Sequence, residues 1–236
     1  AACDRIDLTG SLPSQSDLQL LASVNWVGRS SMEVGIRIST RSDNDWKRVA
    51  RAFFIMVSRR EGWAEEVNPL TPKTREEQSR FKEGQERQRL RREMSRYNIL
   101  TVAPDEQESK LLHSLFLEIR EGTLKGVPMA ETLRQSTRLM HPQFRNIHNK
   151  IFGGYLMREA FELAWNITYL FCGHRPHFLS VDHMYFYEPV EIGSILSFTG
   201  QVIYTSARAM MVEVASEVID PASDITEVTN VSYFTF

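Results

Sequence analysis

Two stretches of the chain alternate apolar and polar residues in the same manner. Residues 23–38 and 196–219 are each rich in Val, Ile, Met and Phe. Each is broken by a short polar turn, Gly28-Arg29-Ser30 in one and Thr205-Ser206-Ala207 in the other. Alternation around such a turn predicts a β-hairpin. Residues 46–58 and 226–236 add a closing strand to each, and 178–186 adds a strand ahead of the second. Between 154 and 172 the period changes. Met157, Ala160, Phe161, Ala164, Trp165, Thr168 and Phe171 recur at helical spacing, with no Pro or further Gly after Gly154. That predicts a long helix with one apolar face. A long helix wrapped by antiparallel strands is an α+β layer arrangement.

The two strand-rich regions look like copies of one another. Cys3-Asp4-Arg5-Ile6 resembles Val181-Asp182-His183-Met184, Asn25-Trp26 falls opposite Ile203-Tyr204, and Met32-Glu33-Val34 falls opposite Met210-Met211-Val212, all at an offset of 178 positions. Residues 52–57 meet 231–236 at an offset of 179. One steady offset across four strand-like segments argues for an internal repeat. The alternative is an unrelated β-meander at the front of the chain. If the repeat holds, the helix of the first copy would fall ahead of residue 1, and the chain is expected to start inside its first module.

The segment between the copies has another character. Residues 65–98 are dense in Arg, Lys, Glu and Gln behind Pro69 and Pro72. This composition favours a solvated helix with charge pairs one turn apart. The basic run Arg87 to Arg92 is interleaved with Glu83, Glu86 and Glu93, which makes a connecting helix a better reading than a nucleic-acid surface. Residues 111–119 form a short amphipathic helix by pattern, and 127–140 read as an extended lead-in to the second copy. The expected division is 1–64 for the first module, 65–126 for the charged helical linker and 127–236 for the second module.

Charge and composition narrow the partners. The formal net charge is -2, with 42% hydrophobic and 25% charged residues. Neither nucleic acid nor an acidic membrane is expected as the main partner. The helix at 154–172 holds Arg158, Glu159, Glu162 and Asn166, which argues against a membrane span. Cys3 and Cys172 are the two cysteines. They do not form a secreted disulfide framework, and no CxxC or His-rich spacing suggests a metal. No cofactor is expected.

The candidate chemistry lies at the start of the helix. Asn146, His148 and Asn149 form a polar loop that runs into Gly153-Gly154. Glycines there permit close backbone approach, and the first N–H groups of a helix can hold an oxyanion. A tight strand-to-helix turn is the equal alternative. Asn146 can donate and accept, so it can orient a water or a carbonyl, or it can close an Asx turn. His148 has no Ser or Cys nucleophile beside it and reads as a loop residue. Glu159 and Glu162 flank Phe161 and are expected to face solvent or pair with Arg158.

At these residues a resemblance becomes specific. Asn146-Ile147-His148-Asn149-Lys150-Ile151-Phe152-Gly153-Gly154-Tyr155-Leu156-Met157, behind His141-Pro142 and ahead of Glu162-Leu163-Ala164, resembles the hot-dog-fold acyl-coenzyme A thioesterases of the mitochondrial type. Val24-Asn25-Trp26-Val27-Gly28, Val67-Asn68-Pro69-Leu70 and Pro189-Val190-Glu191-Ile192-Gly193-Ser194 carry the same resemblance. It implies a double hot-dog, here with the first module lacking its central helix. It also implies hydrolysis of acyl-CoA to fatty acid and CoA, a role in fatty acid metabolism, a mitochondrial location and homo-oligomers. By position it assigns Asn146 to catalysis and Gly153 and Gly154 to the oxyanion. The position where the family carries its acid is here Phe161, so the acid for Asn146 would come from the other module's helix. A non-catalytic module that binds acyl-CoA or pairs with another subunit is the alternative.

Overall fold

A computed structural model describes residues 2–10, 15–42, 45–60, 63–94, 102–123, 125–186, 188–221 and 225–236. They divide into two compact units: residues up to Pro69 together with Met129–Phe236, and Leu70–Pro128.

The larger unit is built on one antiparallel sheet. Its strands are β1 (Ala2–Leu8), β2 (Leu18–Val27), β3 (Ser31–Ser42), β4 (Asp45–Val57), β7 (Arg134–Leu139), β8 (Ser180–Phe186), β9 (Ile195–Thr205), β10 (Met210–Asp220) and β11 (Ile225–Thr235). Two-residue strands β5 (Arg59–Arg60) and β6 (Trp63–Ala64) form a separate small ladder. The long helix is α3 (Gly153–Cys172), which ends at Gly173 in the left-handed region with φ 75°. Both hairpins appear where the alternation places them.

The order across the sheet is β2-β3-β4-β1-β8-β11-β10-β9-β7. Apart from β7 it is a palindrome about the β1–β8 pair. At that centre Cys3 faces Met184, Arg5 faces Asp182 and Ile6 faces Val181. The copies therefore meet through equivalent strands, across a local twofold. Bulges repeat too. The ladder skips Asn25 between β2 and β3, and Ile203 between β9 and β10. It skips Val49 between β3 and β4, and Thr229 between β10 and β11. This is the expected α+β double hot-dog arrangement, and it removes the unrelated-meander alternative.

One detail of the repeat is corrected. Val34 pairs with Phe54 as Val212 pairs with Phe234, so the closing strands are related by 180 positions rather than 179. A one-residue slip would turn every side chain of the strand to the other face. With 180, Phe54 and Phe234 share the core-facing side.

Helix α3 packs on β9 and β10 and touches β7 and β11. Leu156, Ala160, Leu163, Ala164, Ile167 and Thr168 are its buried residues. The stripe is turned from the expected one: Met157, Phe161 and Trp165 are a half-buried flank, and Phe171 is exposed. Small residues bring helix and sheet together. A Cβ on Gly200 would stand 2.7 Å from Ile167 Cδ1. Under the helix, Leu196, Phe198 and Val202 of β9 are buried. Their equivalents on β2 are Leu18, Leu20 and Val24, and all three are exposed. The expected extended lead-in is also modified. It carries a short 3-10 turn, Met129–Thr132, and then β7, which pairs along β9 as an edge strand.

The smaller unit holds α1 (Arg75–Met94) and α2 (Glu106–Glu121). The charged helix starts later than the composition suggested, because Pro69 and Pro72 lie in an irregular lead-in that fits helix poorly. Asn98 lies outside the described residues. Helix α1 is laced with ion pairs one turn apart, such as Arg80–Glu76 and Arg89–Glu93. Helix α2 is longer than its apolar core. Asp105 and Glu108 close a capping box at its start, and Gly122 caps its end with φ 67°. Among the described residues no helix is long and apolar enough to cross a membrane.

Candidate active site

The loop ahead of α3 is a compact knot of backbone bonds. Pro142–Phe144 makes a 3-10 turn, and Arg145 and Ile151 then form an antiparallel bridge. Inside that bridge Asn146 donates its backbone N–H to Lys150 O at 2.7 Å, and Asn149 donates to Asn146 O at 3.2 Å. Asn149 takes φ 56°, a left-handed conformation that Asn tolerates. The carboxamide oxygen of Asn146 accepts from the backbone of His148 at 2.8 Å and of Lys150 at 3.2 Å. This is the Asx turn that the sequence left open. The side-chain Nδ2 of Asn146 has no hydrogen-bond partner among the described residues. The turn fixes the amide plane and leaves its donor end free.

Neighbouring chain holds the knot in place. Ile151 N–H donates to Val190 O at 2.9 Å, Met140 N–H to Ser194 O at 2.9 Å, and Phe152 N–H to Phe144 O at 2.7 Å. Lys150 forms an ion pair with Glu191. The Phe144 ring stacks on Tyr155 in the first turn of α3, with centroids 3.8 Å apart. His148 is exposed and takes part through its backbone.

Helix α3 begins bare. Phe152 is its N-cap and gives no side-chain cap. Its carbonyl accepts from Tyr155 N–H at 2.9 Å and Leu156 N–H at 3.4 Å. The N–H groups of Gly153 and Gly154 have no acceptor among the described residues. A Cβ on Gly153 would lie 3.2 Å from the Phe186 ring, and one on Gly154 would lie 2.5 Å from the Phe152 ring. Two adjacent amides at the positive end of a helix, on residues without side chains of their own, can hold a carbonyl oxygen as it gains charge. Asn146, Gly153 and Gly154 thus belong to one short segment.

The carboxylates of α3 are engaged elsewhere. Glu162 pairs with Arg158 at 2.7 Å on the exposed side, as expected. Glu159 does not. Its carboxylate meets Arg138 of β7 at 3.0 Å, with only 15% of its side chain exposed. Tyr155 shares that carboxylate; burial first, and then Glu159, push the phenol above its ordinary range. The expectation that Glu159 faces solvent or Arg158 fails because β7 lies beside this face of the helix. Phe161 sits in an aromatic cluster, edge-on to Phe178 at 5.3 Å and near Phe234 and Phe236, both at 6.1 Å. Nothing local in the sequence announces the partners of Arg138, Phe144 and Tyr155. Among the described residues no three His, Cys, Asp or Glu side chains group to hold a metal.

No protein-family model matches the chain. Individual proteins do. Mouse mitochondrial acyl-coenzyme A thioesterase 9 is 38% identical over 248 residues, covering 99% of this chain and 56% of that protein. The human mitochondrial acyl-coenzyme A thioesterase 9 is 37% identical over 250 residues, covering 100% of this chain and 57% of that protein. The chain is similar to acyl-coenzyme A thioesterases along almost its whole length. It spans little more than half the length of these relatives. Among solved structures, an acyl-CoA hydrolase from Staphylococcus aureus is 29% identical over 45% of this chain and 65% of its own, with a TM-score of 0.44. That similarity and the bare start of α3 together frame the functional question.

Proposed function

We propose that this chain takes part in hydrolysing acyl-CoA to free fatty acid and CoA, with Asn146, Gly153 and Gly154 as its share of the catalytic machinery. The observation that carries the reading is the pair of unsatisfied amides at Gly153 and Gly154, in the same short segment as an Asn whose donor end is free. In this mechanism the thioester carbonyl lies against the two amides. Asn146 Nδ2 orients the carbonyl or the attacking water. As water adds to the carbonyl carbon, the oxygen becomes negative and gains more from the amides than the ground state did. The intermediate collapses by breaking the C–S bond, and CoA leaves as the thiol.

Water activation needs a carboxylate, and α3 has none to offer. Glu159 and Glu162 are ion-paired, and Phe161 is aromatic. The acid therefore comes from outside this helix, and the segments 1–64 and 127–236 act as two modules of which the second supplies the amides and Asn146. The same observation favours a second reading for the chain by itself: acyl-CoA binding or subunit pairing without turnover. The names of the relatives support a mitochondrial location. The exposed Leu18, Leu20 and Val24 support self-association.

A panel of acyl-CoAs with a thiol reagent tests the proposal. CoA release that falls sharply in Asn146→Ala, with the fold retained, is the expected result. Binding of acyl-CoA without release at any chain length overturns the catalytic reading in favour of the second.

A further inference from the structure

One face of the first half-sheet carries charge that the second half lacks. Directly opposed residues of an antiparallel pair share a face, and so do alternate residues of a strand. Arg37 stands opposite Leu21 on one side and Arg51 on the other. Ser39 is opposite Arg48, and Arg41 is opposite Trp46. Leu21, Arg37, Arg41, Trp46, Arg48 and Arg51 therefore occupy one face, away from the row Leu20, Ile38 and Ala50. All six are exposed. None of these four guanidiniums has an ion-pair partner among the described residues. Two carboxylates lie in register with these cations: Asp7, opposite Arg51 and held by Arg5 at 2.6 Å, and Asp17, beside Arg41, whose backbone N–H donates to the Asp17 carbonyl at 3.2 Å.

Like charges directly opposed across strands destabilise a sheet. The internal repeat shows that the fold does not ask for them. The equivalents of Arg37, Arg41, Arg48 and Arg51 are Ala215, Ile219, Val228 and Val231, and the equivalents of Leu21 and Trp46 are Thr199 and Thr226. The same ladders form there without a cation. The net charge of -2 conceals this concentration.

We propose that this face docks on a bilayer surface rich in anionic phospholipid headgroups. Guanidinium pairs phosphate with two parallel hydrogen bonds, and clustered basic residues draw a protein to anionic leaflets. Trp46 and Leu21 project from the same surface. An indole prefers the headgroup level, and a Leu gains by leaving water there. Nucleic acid is the competing polyanion. Single strands are bound on successive aromatic platforms and duplexes by an element entering a groove; this open sheet face has one indole and no such element.

Flotation of the full chain with vesicles tests this. Phosphatidylcholine vesicles are compared with phosphatidylcholine–phosphatidylglycerol vesicles, at low and high salt. Two double variants are used. Arg37→Ala with Arg51→Val installs the residues of the second half, and Arg41→Gln with Arg48→Gln removes the other pair. Circular dichroism confirms that each keeps its sheet. The wild type is expected to float with the anionic vesicles alone and to be released by salt. Each arginine removed lowers partitioning about fivefold, and each double variant by roughly twenty-five-fold. Equal flotation with neutral vesicles, unchanged binding in both variants, or release of the chain by single-stranded RNA in preference to lipid overturns the proposal. So does loss of binding in Leu20→Ser, since that would assign the contact to the opposite face.

Discussion

Leu20 and Phe198 occupy equivalent places in the two halves of the sheet, yet Leu20 is 61% exposed and Phe198 is 1% exposed. They stand opposite equivalent residues, Leu20 opposite Ile38 and Phe198 opposite Ser216. The difference is α3, which lies over the second half. One strand pattern thus supports a closed core in one place and an open apolar face in the other.

Truncating the two residues should therefore have unequal effects. Phe198→Ala removes a buried ring and is expected to cost about 3–5 kcal/mol in urea unfolding. Leu20→Ser should change stability by less than about 0.5 kcal/mol. It should also reduce self-association in sedimentation velocity, because it breaks the exposed row Leu18, Leu20 and Val24. Equal costs for the two would show that the halves are covered alike.

Gly200 and Ala22 form a second such pair. Gly200 is opposite Val214, and Ala22 is opposite Ile36. A methyl at Gly200 would meet Ile167 Cδ1 at 2.7 Å, Val214 Cγ2 at 3.1 Å and the Glu213 carbonyl at 3.2 Å. Gly200→Ala should cost about 1–3 kcal/mol by overpacking the helix against the sheet. Ala22→Gly should cost less than about 1 kcal/mol, as strand entropy alone predicts. Chemical denaturation of the two variants compares them directly.

Much of this repeat is legible in the residues. Alternation around Gly28-Arg29-Ser30 and Thr205-Ser206-Ala207 locates both hairpins, and the 178-residue offset identifies the halves. Local likeness between 52–57 and 231–236 is thin, and alone it leaves the closing strands one position out of register. The ladder, which sees Phe54 opposite Val34 and Phe234 opposite Val212, fixes 180. The segment containing Asn146, Gly153 and Gly154 stands out through its own glycines and amides. The Glu159–Arg138 pair does not, because it depends on β7 lying beside β9, a contact between residues 21 positions apart with no local signature. The turned buried stripe of α3 has the same origin: periodicity locates the helix, and the sheet decides which of two adjacent stripes is deepest.

The two roles available to Asn146 separate by substitution. Asn146→Asp keeps an oxygen for the His148 and Lys150 amides but loses the donor end. Asn146→Ala loses both. If the side chain acts only as a turn, Asp should retain activity and Ala should lose about 1 kcal/mol of stability. The proposed mechanism instead expects Asp to preserve stability while CoA release falls at least about tenfold, the loss of about 1.4 kcal/mol of transition-state binding. Melting curves and initial rates on the same preparations give both readouts.

Cys3 provides a test of the central β1–β8 seam. Burial pushes its thiol up to about 12 from an ordinary 9.0, with Asp4 adding to the rise. The folded state therefore holds the proton more tightly than the unfolded one. The stabilisation that follows is complete below the ordinary value and is lost as pH rises toward about 12. A thiol reagent at neutral pH should modify the half-buried Cys172 first, and Cys3 only after denaturant opens the seam. Rapid reaction at two thiols in the native chain would contradict the burial of β1.

Gly154→Ala tests whether the helix start serves the substrate or only the fold. Alanine gains up to about 1 kcal/mol over glycine in helix propensity. Against this, the new methyl stands 2.5 Å from the Phe152 ring, which must turn away. That ring is exposed and free to move, so unfolding energy should shift by less than about 1 kcal/mol. The displaced ring and the methyl crowd the two amides that have no acceptor. Turnover should then fall at least about tenfold, while an acyl-CoA binding constant set by contacts away from the carbonyl changes less. A variant that keeps full turnover would remove the oxyanion role from Gly153 and Gly154 and leave them as the tight turn into α3.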